Sequence, residues 1–149
     1  MSNTEKIVVG MSGGVDSSVT AYLLKEAGCD VIGITMKVWP QDCISRASDK
    51  CCGPQAVADA RGVAHALDIP HYVIDEAAEF EKTVIEYFKS EYRSGRTPNP
   101  CIMCNEKLKF GNLLTKARSL GAVKVGTGHY ARVERRGPRW ALLKGVDAR

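Results

Sequence analysis

The sequence predicts an α/β protein with a doubly wound, mostly parallel sheet and helices on both faces. Short runs rich in Val and Ile alternate four times with segments of helical periodicity, which is the β–α–β pattern of a parallel sheet. The length of 149 residues fits one domain, and the content of 44% hydrophobic and 26% charged residues is that of an ordinary globular chain.

The first half of the chain contains three predicted strands and two predicted helices. Gly28 is placed to end the first helix, and Pro54 is placed to begin the second. The segment between the second predicted strand and the second predicted helix, residues 39–53, contains Pro40 and three cysteines and is predicted to be irregular. In chain order, these elements are Lys6–Met11 (strand), Val15–Ala27 (helix), Val31–Val38 (strand), Pro54–Leu67 (helix) and His71–Asp75 (strand).

The second half begins with a helix that has large apolar residues three and four positions apart. A stiff loop with two prolines, Ser94–Pro100, separates it from the next helix. A short antiparallel hairpin is expected around Arg136-Gly137-Pro138 near the end of the chain. The predicted elements are helices Ala77–Tyr92 and from Pro100 or Asn105 to Leu120, strand Ala122–Gly126, and hairpin strands Tyr130–Glu134 and Trp140–Lys144.

Composition excludes several classes of protein. No stretch approaches the roughly 20 apolar residues of a membrane span, and the polar N-terminus is unlike a secretory signal. We therefore expect a cytoplasmic protein with no membrane partner. Six cysteines without such a signal indicate reduced thiols, metal ligands or catalysis rather than a disulfide framework.

Charge is distributed unevenly along the chain. Residues 101–149 contain 11 Lys and Arg against 3 Asp and Glu, a net charge of +8, whereas residues 1–100 contain 10 against 14, a net charge of −4. A basic C-terminal third suggests a polyanionic partner, although charge alone favours a solvated basic surface.

The loop after the first strand, MSGGVDSS at residues 11–18, is suited to binding an anion. Its two glycines let the backbone approach a ligand closely, and the free N–H groups and dipole of the following helix favour phosphate. The loop lacks the lysine of the Walker pattern and does not match the dinucleotide pattern G-x-G-x-x-G. A tight turn capped by serine is the structural alternative.

A second motif, TPNPCIMCN at residues 97–105, begins the fourth helix. Asn99 can cap a helix that starts at Pro100, which would place Cys101 and Cys104 on one face of its first turn. A helix N-terminus and nearby lysines lower a thiol pKa. Since a free thiol with a pKa of about 8.5 is only about 3% ionised at pH 7, a drop of one to two units raises the nucleophile about tenfold or more.

These motifs resemble known families. Ser-Gly-Gly-Val-Asp-Ser resembles the pyrophosphate loop of the ATP pyrophosphatases, which have the adenine nucleotide alpha-hydrolase-like fold. Residues 97–105 resemble the T-P-N-P-x-x-x-C-N signature of the tRNA-specific 2-thiouridylases, and Gly126–Ala131 (GTGHYA) resembles their G-H-Y-A element. Cys51-Cys52 and Asp59-Ala60-Arg61 are similar to the same family, so the resemblance runs along essentially the whole chain.

The resemblance implies an ATP-dependent tRNA sulfurtransferase that acts in two steps. The enzyme activates the O2-bearing carbon of a wobble uridine by adenylation and releases pyrophosphate. A cysteine persulfide then delivers sulfur and displaces AMP, which leaves 2-thiouridine. The implied partners are the anticodon region of tRNA and a persulfide donor or relay protein, and the implied cofactors are ATP and Mg²⁺.

The resemblance also implies roles for individual residues. Cys104 would be the catalytic cysteine, and Asp16 would help to position Mg²⁺. Asn99, Pro100 and Cys101 would face the target base, and His129 would lie near the tRNA. The implied ATP-binding residues are Gly10, Met11, Ser12, Gly13, Gly14, Val15, Asp16, Ser17, Met36 and Gly128.

Two departures from the family pattern matter. Many members carry Asp where this chain has Cys101, so this chain has a Cys-x-x-Cys pair that could relay sulfur, form a disulfide or bind metal. The chain also stops at Arg149, where the family continues with tRNA-binding domains and a second cysteine. We expect residues 1–149 to be the N-terminal nucleotide-binding and catalytic domain, with about 130–149 beginning the link to those domains. Such a fragment would bind ATP, bind tRNA weakly and fail to complete thiolation.

Other interpretations remain open at this point. Cys101 and Cys104 could bind zinc together with Cys51 and Cys52, or an iron–sulfur cluster completed by a further cysteine. The chain could then be a cytidine thiolase, a small-molecule synthetase with the same loop, or a zinc-containing RNA-binding module. His129 could be an ordinary loop histidine, and Met36 could belong to the core.

Overall fold

The computed structural model describes residues 4–38 and 53–146. The predicted irregular segment, with Trp39, Cys43, Cys51 and Cys52, lies outside the described residues except for Gly53.

Four parallel strands form the central sheet, in the order β3-β2-β1-β4. The chain starts at β1, moves outward through β2 to β3, and then returns to the other side of β1. This order confirms the predicted doubly wound parallel sheet and creates a switch point between β1 and β4, where ligands bind in such folds. The strands are β1 (Lys6–Gly10), β2 (Asp30–Lys37), β3 (His71–Asp75) and β4 (Lys124–Gly126).

Within the described residues, four helical stretches connect these strands or lie between them along the chain. Helix α1 spans Val15–Glu26 and α2 spans Pro54–Ala66, and each ends one residue before its predicted end. Helix α3 consists of Ala77–Phe80, Glu81–Ile85 and Glu86–Arg93 in direct succession. Helix α4 likewise consists of Pro100–Met103, Cys104–Asn112 and Leu113–Ser119. The middle segment of both α3 and α4 is π-helical, a local geometry that often marks functional sites.

The start of α4 confirms the predicted cap. The side chain of Asn99 accepts a hydrogen bond from the backbone N–H of Ile102 at 3.3 Å, and Pro100 is the first helical residue. The asparagine cap satisfies one open N–H, and proline at the first position has none to satisfy, so the local sequence favours a helix that begins at Pro100.

Helices cover both faces of the sheet. On one face, Ala21 of α1 and Ala60 and Ala64 of α2 pack against Val9 and Val31. On the other face, Leu113 and Ala117 of α4 pack against strand residues; those buried with them are Val8, Ile32 and Ile34. A third cluster joins α3 to α4; it contains Val38, Phe80, Val84 and Leu108.

The buried face of α1 is not its most apolar face. The stripe of large residues that gives α1 its helical periodicity is exposed; its members are Val15, Val19, Tyr22 and Leu23, at 76%, 46%, 48% and 58%. Ser17 and Ala21 are buried instead. A Cβ on Gly126 of β4 would lie only 3.0 Å from Leu24 Cδ1, so glycine at position 126 lets α1 pack closely on the sheet.

The predicted hairpin forms a separate two-stranded antiparallel sheet. Its strands are β5 (Arg132–Arg136) and β6 (Arg139–Leu143), and Gly137 in the turn has a φ of +60°. The hairpin is confirmed, with boundaries shifted by one or two residues relative to the expected ones. Within the described ranges, no helix is long and apolar enough to cross a membrane.

The α3–α4 cluster gives a test of the packing. Leu108 is fully buried, so Leu108→Ala is expected to lower the free energy of unfolding by about 2–5 kcal/mol, measured by urea denaturation of the chain. Leu114→Ala is the matched control on the same helix, because its side chain is 36% exposed and should cost far less. Equal losses for the two variants would contradict this packing.

Candidate nucleotide-binding and catalytic site

A cavity of about 440 Å³ lies at the carboxyl ends of β1, β2 and β4, on the switch point of the sheet. Four segments form its wall: the β1–α1 loop with the first turn of α1, the end of β2, the residues after β4, and the middle of α4. The lining residues are Gly10, Met11, Ser12, Gly14, Asp16, Ser17, Ile34, Met36, Asn105, Lys109, Phe110, Leu113, Thr127, Gly128 and His129.

The β1–α1 loop is held by its own serines. The buried Ser17 hydroxyl donates to Gly14 O at 3.1 Å and accepts from the Ser12 backbone N–H at 3.2 Å. The Ser12 and Ser17 hydroxyl oxygens lie 3.3 Å apart. Gly14 is the N-cap residue of α1 and makes no side-chain cap, so the first N–H groups of the helix have no cap from that position.

Two glycines permit the close approach of three elements at this loop. Gly13 has a φ of +76°, and a Cβ there would lie 2.4 Å from the carbonyl oxygen of Ala56 in α2. A Cβ on Gly128 would lie 2.6 Å from the backbone nitrogen of Ser17. The backbone after β4 therefore rests directly on the first turn of α1, which no residue larger than glycine would allow.

A buried hydrogen-bond chain supports the loop from below. The Thr35 hydroxyl donates to the backbone oxygen of Met11 at 2.8 Å and lies 2.9 Å from His71 Nε2. Since the hydroxyl proton is used toward Met11, His71 must donate from Nε2, which leaves Nδ1 unprotonated. Burial, and then the charge of Arg61, lower the pKa of His71, in keeping with a neutral ring.

The segment after β4 brings two further side chains to the loop. The Tyr130 hydroxyl donates to Asp16 Oδ1 at 3.1 Å. His129 Nδ1 accepts a hydrogen bond from the Ala131 backbone N–H at 3.0 Å, which leaves Nε2 to carry the ring proton. His129 is thus both a locally bonded loop histidine and a cavity residue.

The structure brings most of the predicted ATP-binding residues into the lining of this one cavity. All of them line the cavity except Gly13, which packs against Ala56, and Val15, which is 76% exposed. Met36 is half-buried and belongs both to the cavity wall and to the edge of the core.

The predicted base-contacting residues and the cysteines lie beside the cavity rather than in its wall. Asn99 and Cys101 are exposed, and Pro100 is half-buried. Cys104 is half-buried and packs against the α3–α4 cluster, while the next residue, Asn105, lines the cavity. The two thiols of the Cys-x-x-Cys pair therefore have different surroundings, one open to solvent and one packed against the core.

Sequence reasoning missed part of the wall. Asn105, Lys109, Phe110 and Leu113 all reach the cavity from α4. Their spacing of four, one and three residues places them along one side of a helix, and this pattern could have identified them.

The described residues set limits on metal binding. No group of three or more His, Cys, Asp and Glu side chains in residues 4–38 and 53–146 could hold a metal ion. Mg²⁺ needs only one or two carboxylates when it binds with a nucleotide, so the exposed Asp16 carboxylate fits that role. Cys101 and Cys104 supply two thiols, fewer than the three or four protein ligands of a cluster.

A family model described as the tRNA methyl transferase HUP domain matches residues 5–149. The chain belongs to that family. The tRNA-specific 2-thiouridylase MnmA of Clostridium perfringens is 55% identical over 146 residues, which are 97% of this chain and 41% of that protein. The chain thus spans about two fifths of the length of this relative, and its resemblance to the N-terminal part of the 2-thiouridylases is confirmed.

Solved structures agree with the HUP-domain fold. NMN synthetase from Francisella tularensis has a TM-score of 0.55 and 25% identity, covering 83% of this chain and 45% of that one. Glutamine-dependent NAD⁺ synthetase from Acinetobacter baumannii, solved with ADP, has a TM-score of 0.59 and 17% identity, covering 85% of this chain and 22% of that one. These likenesses confirm the predicted pyrophosphate-loop type of α/β fold.

The contact between Gly128 and α1 can be tested directly. Gly128→Ala should lower the free energy of unfolding by about 1–3 kcal/mol, because the new methyl group meets backbone that cannot move aside. Gly62→Ala is the matched control, since a Cβ at Gly62 in α2 meets nothing within 4 Å. Urea denaturation measures both; an unchanged Gly128→Ala variant would refute the close approach.

The state of His71 predicts a pH dependence. A folded-state pKa below the ordinary value of 6.5 means that His71 supports folding above that pH and that this support is lost as the pH falls below it. The urea midpoint should therefore drop from pH 7.5 to pH 5.5, and the drop should be smaller in His71→Gln. His65→Gln, at an exposed position, should keep the full drop; identical pH profiles in all three proteins would contradict the prediction.

Proposed function

We propose that this chain is the ATP-binding and catalytic part of a tRNA 2-thiouridylase. ATP adenylates the O2 of a wobble uridine, pyrophosphate leaves, and sulfur from a cysteine persulfide then displaces AMP. The relatives that carry this name are more than twice as long as the chain, so the complete activity belongs to a protein with further domains.

The continuity of the cavity supports this proposal most directly. One end of its wall is the β1–α1 loop with open helix N–H groups, and the other is Asn105, the residue after Cys104. Adenylation at O2 and sulfur attack at C2 involve adjacent atoms of the base. A phosphate-binding loop and a thiol must therefore lie close to one space; the loop lines the cavity, and Cys104 directly precedes the lining residue Asn105.

The residues divide the chemistry between them. The β1–α1 loop holds the departing pyrophosphate through backbone N–H groups and the helix dipole. Asp16 would hold Mg²⁺, and the Tyr130 hydroxyl donates a hydrogen bond to one oxygen of that carboxylate. When bound, Mg²⁺ neutralises the charge that develops on the leaving group. Met36, Ile34 and Phe110 offer an apolar surface to the adenine.

Sulfur transfer falls to the start of α4. Cys104 is the catalytic cysteine, and Asn99, Pro100, Cys101 and His129 face the extruded base or the tRNA beside it. Reading an anticodon nucleotide requires an unstacked base, which is accessible in a loop. A persulfide relay protein supplies the sulfur, and a tRNA substrate together with reduced thiols places the reaction in the cytoplasm. The two thiols of Cys101 and Cys104 do not make an iron–sulfur cluster on their own.

The decisive experiment analyses bulk tRNA from cells whose native, full-length gene carries Cys104→Ser. Nucleoside mass spectrometry should show loss of 2-thiouridine derivatives with other thiolated nucleosides intact, because adenylation proceeds but sulfur is not transferred. Unchanged 2-thiouridine would refute the proposal. Loss of 2-thiocytidine instead would identify a cytidine thiolase.

Cys101→Ser in the same gene separates the two cysteines. If Cys104 alone transfers sulfur, this variant keeps 2-thiouridine, consistent with an exposed Cys101 thiol whose sequence neighbours do not line the cavity. Loss of 2-thiouridine in both variants would assign the pair a joint relay role.

A further inference from the structure

Lys109 occupies a distinctive position in the cavity. It is half-buried and lies in the π-helical part of α4, with Phe110 beside it on the cavity wall. Among the described lining residues it is the sole lysine or arginine. The helix that carries it is held against β1, because a Cβ on Gly10 would lie 3.1 Å from Leu113 Cδ2.

The opposite wall of the cavity lacks such a charge. The β1–α1 loop, residues 11–14, contains no lysine or arginine, and its only ionisable neighbour at the start of α1 is the negative Asp16. Backbone N–H groups and a helix dipole provide a partial positive charge of roughly half a unit. A nucleoside triphosphate carries several negative charges, so the Lys109 ammonium group in the cavity wall can stabilise it electrostatically.

The position along α4 indicates which phosphate this cation meets. Lys109 follows Cys104 by five residues, about one turn of a π-helix, whose hydrogen bonds run between residues five apart. The β1–α1 loop holds the pyrophosphate end of the nucleotide in the proposed function. The group that lies between that loop and the thiol is the α-phosphate.

We propose that the Lys109 ammonium group binds the α-phosphate of the nucleotide. The inference rests on the proposed function and adds a phosphate-specific cation to it. The α-phosphate takes part in both steps, since it receives the uridine oxygen when pyrophosphate leaves and departs with that oxygen as AMP. A cation at this point stabilises the negative charge on the α-phosphate, both when pyrophosphate leaves and when AMP leaves.

A neighbouring lysine provides a matched control. Lys107 lies two residues away on the same helix, but it is exposed, its ammonium lies 2.8 Å from Glu106 Oε1, and it is not in the cavity wall. Lys107→Met and Lys109→Met remove the same charge from the same helix. Any difference between them therefore reports on position rather than on net charge.

The test measures binding of Mg²⁺-ATP, AMP and adenosine to this chain by isothermal titration calorimetry. Lys109→Met should weaken ATP and AMP binding about tenfold or more and leave adenosine binding unchanged, because adenosine has no phosphate. Lys109→Arg should restore most of the affinity, and Lys107→Met should bind all three like the unmodified chain.

Other outcomes have distinct meanings. Loss of ATP binding with unchanged AMP binding would overturn the assignment to the α-phosphate. An equal loss for adenosine would overturn a charge role and show a structural one. Failure of the unmodified chain to bind ATP would refute the proposed function itself, whereas ATP binding that is insensitive to Lys109→Met would refute this inference alone.

Discussion

The parallel pairing of β1 with β4 is the constraint on which the site depends. Val8 pairs with Val125 and Val9 with Gly126, so both strands deliver their following loops to the same edge of the sheet. Only two residues beyond Gly126, Gly128 rests on the first turn of α1. The cavity, the link from Tyr130 to Asp16 and the position of His129 all follow from that pairing.

Much of the fold could be predicted because its signals are local. Asn99 followed by Pro100 fixes the start of α4, and apolar runs of the right length fix the strands. Strand and helix ends differ by one or two residues from the predicted ones because they depend on backbone hydrogen bonds. The buried face of α1 could not be predicted from periodicity, because the small residues Ser17 and Ala21 are buried while the apolar stripe that begins at Val15 is exposed.

The site was predictable where one continuous segment makes it. The β1–α1 loop carries its own hydroxyls and glycines and leads directly into a helix, so its suitability for binding an anion can be predicted from its sequence. Asn105, Lys109 and Phe110 reach the cavity through the packing of α4 on the sheet, which involves residues far away in sequence. The unequal burial of Cys101 and Cys104 has the same origin, because contact with α3 covers one thiol and not the other.

The π-helical stretch Cys104–Asn112 sets the rotational phase of α4. Its C-terminal continuation is locked to the sheet by Leu113 and Ala117, and its N-terminal end carries Cys104. An α-helix turns about 100° per residue, so shortening the stretch by one residue would swing the thiol about a quarter turn around the helix axis. The wide turns of the π-helix thus set the direction in which the Cys104 side chain points, while the C-terminal part of α4 stays packed on the sheet.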